Sequence, residues 1–416
     1  MPGIHRERPG ADALAAADGS PAVDLGDDIW MSSGLSNSYL LRTDDGRIVV
    51  NTGMGFESPL HRRAYDAVDP SPTRAIVLTQ GHYDHVGGVD VLRDDGTDVI
   101  AQADFHIWRD DNERLEAFRS RNSAFAFIDA ILAAVEHARS VGADADAVAQ
   151  ARPEPTTTFE DRLELSIGGR ELVLLSTPGG ETLDSLVIWL PGSRTLFTGN
   201  LFGPLFGHVP NLVTIRGDRY RDALAYISSL EVVLDLRPDR LITGHFDPIE
   251  GGDRIAEEVT AMRDAMRWVH DRTVDGMNAG TDVHTLMREV AVPAHLDVGE
   301  GYGRTSWNVR AIWENYAGWF HHRSTTELYG VPPLAVAPDL VAAAGADVLV
   351  AAARSHVEAG RPVHALQLTD VVLAVDDGHA AARAVAADAS RALRDASTNF
   401  WERAWLARSI DKLERT

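Results

Sequence analysis

Cysteine is absent from all 416 residues. Disulfides and thiolate ligands are therefore excluded, and any metal site has to be built from His, Asp, Glu, Asn or Gln. Long apolar runs are missing too. No stretch reaches the ~18 residues that span a bilayer, and Met1 to Ser20 has no apolar core of signal-peptide length. The expectation from these absences is a cytoplasmic protein with no membrane partner. Positive charge is scarce: 39 Lys and Arg stand against 62 Asp and Glu, for a net charge of −23. That balance argues against nucleic acid or an anionic membrane as the main partner, and it means that an anionic small-molecule substrate needs a local basic pocket. The remaining composition, 44% hydrophobic and 24% charged, is that of a globular chain with room for two or three domains.

The densest chemical signal is Thr79-Gln80-Gly81-His82-Tyr83-Asp84-His85-Val86-Gly87-Gly88. It follows the apolar run Ala75 to Leu78, so a strand is expected to end in a loop that projects two imidazoles and a carboxylate, a donor set suited to zinc or another divalent ion. Three later segments repeat the pattern of apolar strand, glycine turn and donor atom. They are Ser176-Thr177-Pro178-Gly179-Gly180-Glu181, Leu196-Phe197-Thr198-Gly199-Asn200 and Ile242-Thr243-Gly244-His245. One such element means little, because glycine and polar residues commonly end strands. Four in one region point to a shared site.

Around these loops the pattern is α/β. Residues 1–22 read as a flexible arm rich in Ala, Asp, Gly and Pro. Strands are expected at 29–31, 38–42, 48–51, 75–78, 99–101, 163–165, 171–176, 185–190, 195–198 and 241–243, with helices at 61–68, 104–140 and 218–230. After about residue 252 strand patterns stop. Helices are expected at 254–276, 282–290 and 306–320, and then at 338–358, 361–375, 378–394 and 397–414. The division follows as an arm at 1–22, an α/β domain at 23–252 and an all-α domain at 253–416.

The ordered motifs resemble the metallo-β-lactamase fold, an αββα sandwich with its metal site at one edge of two packed sheets. The usual His-x-His-x-Asp-His reads here Gln80-x-His82-x-Asp84-His85. Asn211 to Gly217, Gly303 to Ile312, Gly318-Trp319-Phe320 and Pro332-Pro333 are similar to the alkylsulfatase branch of that superfamily, as is Glu181 where other branches carry a histidine. The resemblance covers about residues 23–410. It implies a helical dimerisation domain at the C-terminal side, hence a homodimer, and it does not extend to that branch's further sterol-carrier-like domain.

Carried over by position, the resemblance implies one metal subsite of Gln80, His82 and Glu181 and another of Asp84, His85 and His245, with Asn200 at the bridging position and one or two Zn2+ ions held. Asn211 and Arg216 match positions that grip the sulfate group. A guanidinium fork suits a tetrahedral oxyanion, although Arg216 also stands just before Gly217-Asp218, where pairing with a nearby carboxylate is the simpler role. Asp84 or Glu181 would orient the attacking water. Gln80 replaces a histidine, Asn200 replaces an anionic bridge, and Trp307 stands where the branch carries a histidine beside its Asn. The second subsite is therefore the complete one, and His208 is a stand-in for the missing imidazole. The leading expectation is a metal-dependent hydrolase of an alkyl sulfate ester. A hydrolase of a lactone, thioester, carboxyl ester or amide, or a member without catalysis, are the alternatives.

Overall fold

The computed structural model describes residues 3–143 and 149–415. Met1, Pro2 and Thr416, the ends of the expected arm and helical region, lie outside them. Contacts divide the chain into two compact units, Met1–Tyr316 and Ala317–Thr416.

The first unit is built on two sheets. The seven-stranded sheet runs in sequence order: β1 (Val23–Asp24), β2 (Ile29–Ser32), β3 (Ser38–Thr43), β4 (Gly46–Val50), β5 (Thr73–Val77), β6 (Asp98–Gln102) and β7 (Thr157–Phe159). It is antiparallel up to β4 and parallel from β4 to β7. The six-stranded sheet holds β8 (Arg162–Ile167), β9 (Arg170–Ser176), β10 (Leu186–Leu190), β11 (Thr195–Gly199), β12 (Arg240–Thr243) and β13 (Ile249–Glu250). The β11–β12 pair is parallel and its neighbours antiparallel.

Side-chain alternation explains the packing. In β3, β4 and β5, residues Tyr39, Leu41, Ile48, Val50, Ala75 and Val77 enter one core with Leu174, Ile188, Phe197 and Ile242 of the other sheet. The alternate residues Leu40, Val49 and Ile76 enter a second core with Tyr65, Val86 and Phe105. Both faces are buried, so Ile48-Val49-Val50 and Ala75 to Val77 read as unbroken apolar runs rather than alternating ones. Their C-terminal ends deliver the ligand loops to one edge of the sandwich.

Several elements differ from the sequence reading. Residues 3–22 are anchored rather than loose: Gly3 N donates to Asp297 at 2.6 Å, Ile4 N to Glu258 at 2.9 Å and Ala17 N to Glu57 at 2.8 Å. The composition change near 252 is not where the packing divides, because the helix Gly252–Asn278 lies against β12, β13 and the helix Ala223–Leu236, within the first unit. The helix expected from 218 begins at Ala223, where Asp222 caps it by accepting from Ala225 N at 2.7 Å. Three short strands, β1, β7 and β13, carry no pattern long enough to read.

In the second unit, Ala346–Glu358, Pro362–Leu373 and Ala380–Ala396 pack on Val350, Ala353, Ala365, Val372, Ala382, Val385 and Ala389. The single helix expected over 338–358 is broken at Gly345, whose φ of +85° is one that only glycine adopts cheaply. No single helix among the described residues is long and apolar enough to cross a membrane.

Candidate metal centre

Asp84, His85 and His245 come together at the sandwich edge, each offering a ligand atom within 4.8 Å of the others. Asp84 Oδ2 lies 3.5 Å from His85 Nε2 and 3.8 Å from His245 Nε2. Hydrogen bonds fix which ring nitrogen faces the centre. His245 Nδ1 is 2.8 Å from the carbonyl of Leu35. A carbonyl only accepts, so Nδ1 carries the proton and Nε2 keeps its lone pair. Ser36 Oγ donates to the carbonyl of Gly244 at 3.2 Å and sits 3.1 Å from His85 Nδ1. It therefore accepts from that nitrogen, which again leaves Nε2 as the donor atom. Burial lowers both imidazole pKa values, that of His245 to about 4, so both rings are neutral near pH 7.

The backbone is shaped for close approach. A Cβ on Gly244 would stand 2.3 Å from Asn200 Oδ1 and 2.9 Å from His85 Cε1, so this position has to be glycine. His85 Nε2 and Asn200 Oδ1 are buried without a hydrogen-bond partner. Orphaned acceptors beside a carboxylate are costly unless something positive meets them. These residues fit a divalent cation. The metal loop is pinned in turn by Thr52, whose N–H and hydroxyl donate to the carbonyl of His85 at 2.8 and 3.0 Å.

The other expected ligands lie alongside but are differently engaged. Gln80 is fully buried, and its amide nitrogen is 2.7 Å from His82 Nδ1. His82 Nε2 is 3.1 Å from an Arg216 nitrogen. A guanidinium only donates, so Nε2 accepts and Nδ1 bears the hydrogen. A half-turn of the Gln80 amide then lets its otherwise unpartnered oxygen accept from Nδ1. Glu181 is held bidentately by Arg221, at 3.1 and 2.9 Å. Its Oε2 also lies 3.4 Å from His82 Nδ1. Burial raises the Glu181 pKa, against the pull of Arg221 and Arg216.

Arg216 pairs with Asp218 Oδ2 at 2.6 Å in addition to reaching His82. Burial works against its charge, but Asp218 and Glu181 outweigh that and hold its pKa above the ordinary value. Asn211 is buried, and its carbonyl accepts from Arg221 at 2.8 Å. Asn308 of the Gly303–Ile312 motif clamps the same segment: it accepts from Leu212 N at 3.1 Å and donates to the carbonyl of Pro210 at 2.8 Å. Trp307 stacks with Arg304 at 5.8 Å and has no titratable atom. His208 is a poor substitute for a missing acid: its Nδ1 accepts from Gly301 N at 2.8 Å, and burial lowers its pKa to about 4.

Three residues at this site were not singled out from sequence. Arg221 is one. Trp108 packs edge-on against His82, with ring centroids 4.8 Å apart, and Arg119 lies over Trp108 at 4.5 Å. Only Arg221 carried a readable signal, as the third arginine of one short segment, after Arg216 and Arg219.

Comparison with known proteins then gives three kinds of match. The family model described as metallo-beta-lactamase superfamily covers residues 32–245, and that described as alkyl sulfatase dimerisation covers residues 283–415. The chain is 28% identical over 397 residues to a linear primary-alkylsulfatase of a Pseudomonas species, spanning 90% of this chain and 73% of that protein. It is 26% identical to the alkyl/aryl-sulfatase BDS1 of Saccharomyces cerevisiae, over 92% of this chain and 62% of that one. Among solved structures, the stereoselective inverting sec-alkylsulfatase Pisa1 from Pseudomonas sp. superposes with a TM-score of 0.82 at 23% identity, over 97% of this chain and 69% of Pisa1. That likeness shows the fold.

Proposed function

The chain belongs to the metallo-beta-lactamase superfamily, and from that premise we propose that it is a metal-dependent hydrolase of alkyl sulfate esters. The observation that carries the reading is the cage of Asp84, His85 and His245, with both Nε2 lone pairs turned inward, next to a loop whose His82 touches the half-buried Arg216. A cation-holding group and an anion-holding group are thus built into one edge of the fold. The likeness to alkylsulfatases directs the choice of anion to a sulfate monoester.

Two imidazoles and a carboxylate make zinc the first candidate metal. When bound, a divalent cation supplies Lewis-acid activation of water near neutral pH. The chain's own residues do the rest. Asp84 orients the water and takes up its proton, and Arg216 and Asn211, the positions matched to the sulfate grip, hold the sulfate oxygens. The water oxygen bonds to one side of the ester C–O–S bridge as that bridge bond breaks, and the proton taken by Asp84 passes to the departing group, so that an alcohol and hydrogen sulfate are released. A cavity of about 270 Å³ adjoins Glu181 and is walled by Ile107, Trp108, Pro178, Leu183 and Tyr220, which gives an alkyl chain an apolar place to lie. The test is release of inorganic sulfate from a medium-chain alkyl sulfate, run beside a carboxyl ester of equal length. Ester cleavage without sulfate release refutes this reading.

We further propose that a second copy of the chain covers the exposed apolar stretch of the second unit, in which Leu328, Tyr329, Val331, Val336 and Val348 are each more than half exposed. The match to a dimerisation model over residues 283–415 supports that occupant. Tyr329→Asp combined with Val331→Asp is expected to shift sedimentation from dimer to monomer at micromolar concentration. An unchanged dimer would place the interface elsewhere.

A further inference from the structure

Two metal subsites are implied by position, yet their residues are in different states. At Asp84, His85 and His245 the donor atoms are oriented and unspent, and His85 Nε2 and Asn200 Oδ1 have no protein partner. At Gln80, His82 and Glu181 the donors are spent on one another and on arginine. His82 uses Nε2 to accept from Arg216 at 3.1 Å, and its Nδ1 lies 2.7 Å from the Gln80 amide. Glu181 gives both oxygens to Arg221, at 3.1 and 2.9 Å, with side-chain exposures of 3% and 5% for the pair. Arg221 is further locked to the carbonyls of Gly180 at 3.2 Å and Asn211 at 2.8 Å.

A cation arriving at this second cluster would have to displace Arg221 from a buried bidentate pair and Arg216 from His82. Arg221 would then keep the carbonyls of Gly180 and Asn211, and Arg216 would keep Asp218, while both guanidiniums faced a divalent ion in a poorly screened interior. Gln80 is neutral, and Asn200 supplies a neutral amide where an anionic bridge would draw two cations together.

We infer that the chain holds a single divalent ion, at Asp84, His85 and His245, and that the guanidinium groups of Arg221 and Arg216 occupy the electrostatic role of a second ion on Glu181 and His82. The inference rests on the reading of Asp84, His85 and His245 as a cation site, and it is independent of the substrate. It also gives the substrate side a fixed positive charge that does not dissociate. Chelation should therefore remove the whole metal complement in one phase.

The wild-type protein, stripped and then reconstituted with excess zinc and desalted, is expected to retain one zinc per chain by elemental analysis. Titration with cobalt(II) is expected to end at one equivalent, with an electron paramagnetic resonance signal free of metal–metal coupling. Two equivalents with a coupled cobalt pair would overturn the inference. The double variant Gln80→His with Arg221→Met frees Glu181 and restores an imidazole, and in folded form it is expected to take up a second cobalt. If it folds, shown by an unchanged circular dichroism spectrum, and still binds one, the arginine account fails. The two readings separate cleanly: one ion without sulfate release leaves this inference standing and removes the sulfatase reading, two ions with sulfate release do the opposite, and no ion removes both.

Discussion

His85→Ala is expected to abolish metal retention and to lower turnover by far more than the ~10- to 100-fold that follows loss of an outer-shell partner. His85 is fully buried and its Nε2 faces Asp84 at 3.5 Å, so its loss leaves two donors where a divalent ion needs at least three from protein. Ser36→Ala makes the graded comparison. Its hydroxyl holds His85 Nδ1 at 3.1 Å and does not itself face the metal position. Removing it frees the ring to rotate and to protonate the wrong nitrogen, so metal affinity should fall about 10- to 100-fold while the ligand count is unchanged. Competition against a chelator measures both variants on one scale. Equal losses in the two would mean that ring orientation, not ligation, is what His85 supplies.

Arg216→Ala is the second large effect. Loss of a half-buried group proposed to hold the substrate anion is expected to lower kcat/KM by about 100- to 1000-fold, and Arg216→Lys should recover only part of it, because a point charge does not reproduce the guanidinium fork. The substitution also strands Asp218, whose side chain is 4% exposed and bonded to Arg216 at 2.6 Å. Breaking a buried pair by removing one member costs roughly 3–5 kcal/mol of stability, reduced here because Arg216 is itself 18% exposed and because Arg119 lies 3.6 Å from Asp218. The sign of the pH dependence follows from Asp218. In the wild type, burial raises its pKa but Arg216 and Arg221 outweigh that and hold it below the ordinary value. Its contribution is therefore present above the unfolded pKa and is lost only as pH falls through the lower folded value. In the variant the partly unpaired carboxyl shifts upward, and its penalty is relieved as pH falls through that raised value. The stability gap between wild type and Arg216→Ala should thus be widest near pH 7 and narrow toward pH 4, as read by urea unfolding. A gap independent of pH would show that Asp218 is not the group left stranded.

The site was legible where its signal was local. A strand, a glycine turn and a donor fit within six residues, so His82, Asp84 and His85 after β5, Asn200 after β11 and His245 after β12 could be read as candidates, and the fold brings Asp84, His85 and His245 together with Asn200 beside them. What sets their chemistry was not local. Leu35 and Ser36, which orient the two histidines, belong to a plain loop distant in sequence from His245 and His85. Glu57 secures that loop by accepting from Leu35 N at 3.0 Å, and nothing in its surrounding sequence marks it. Arg221 was read as part of a helix, whereas its side chain is drawn to Glu181 and the helix begins only after the Asp222 cap. Over 218–222 the Arg221–Glu181 pair and the Asp222 cap, both tertiary or local side-chain contacts, prevail over helix propensity. The arm at 3–22 read as loose for a similar reason: its anchors, Asp297, Glu258 and Glu57, lie far along the chain.

The most direct test of the whole account is a single assay of metal content and sulfate release on the same preparation, with octyl sulfate as substrate. The account predicts one divalent ion per chain and equimolar inorganic sulfate and octanol, with both the ion and the turnover lost on chelation and regained when zinc is returned. Sulfate release that persists in fully stripped protein, or a fully loaded protein that releases none, would contradict it.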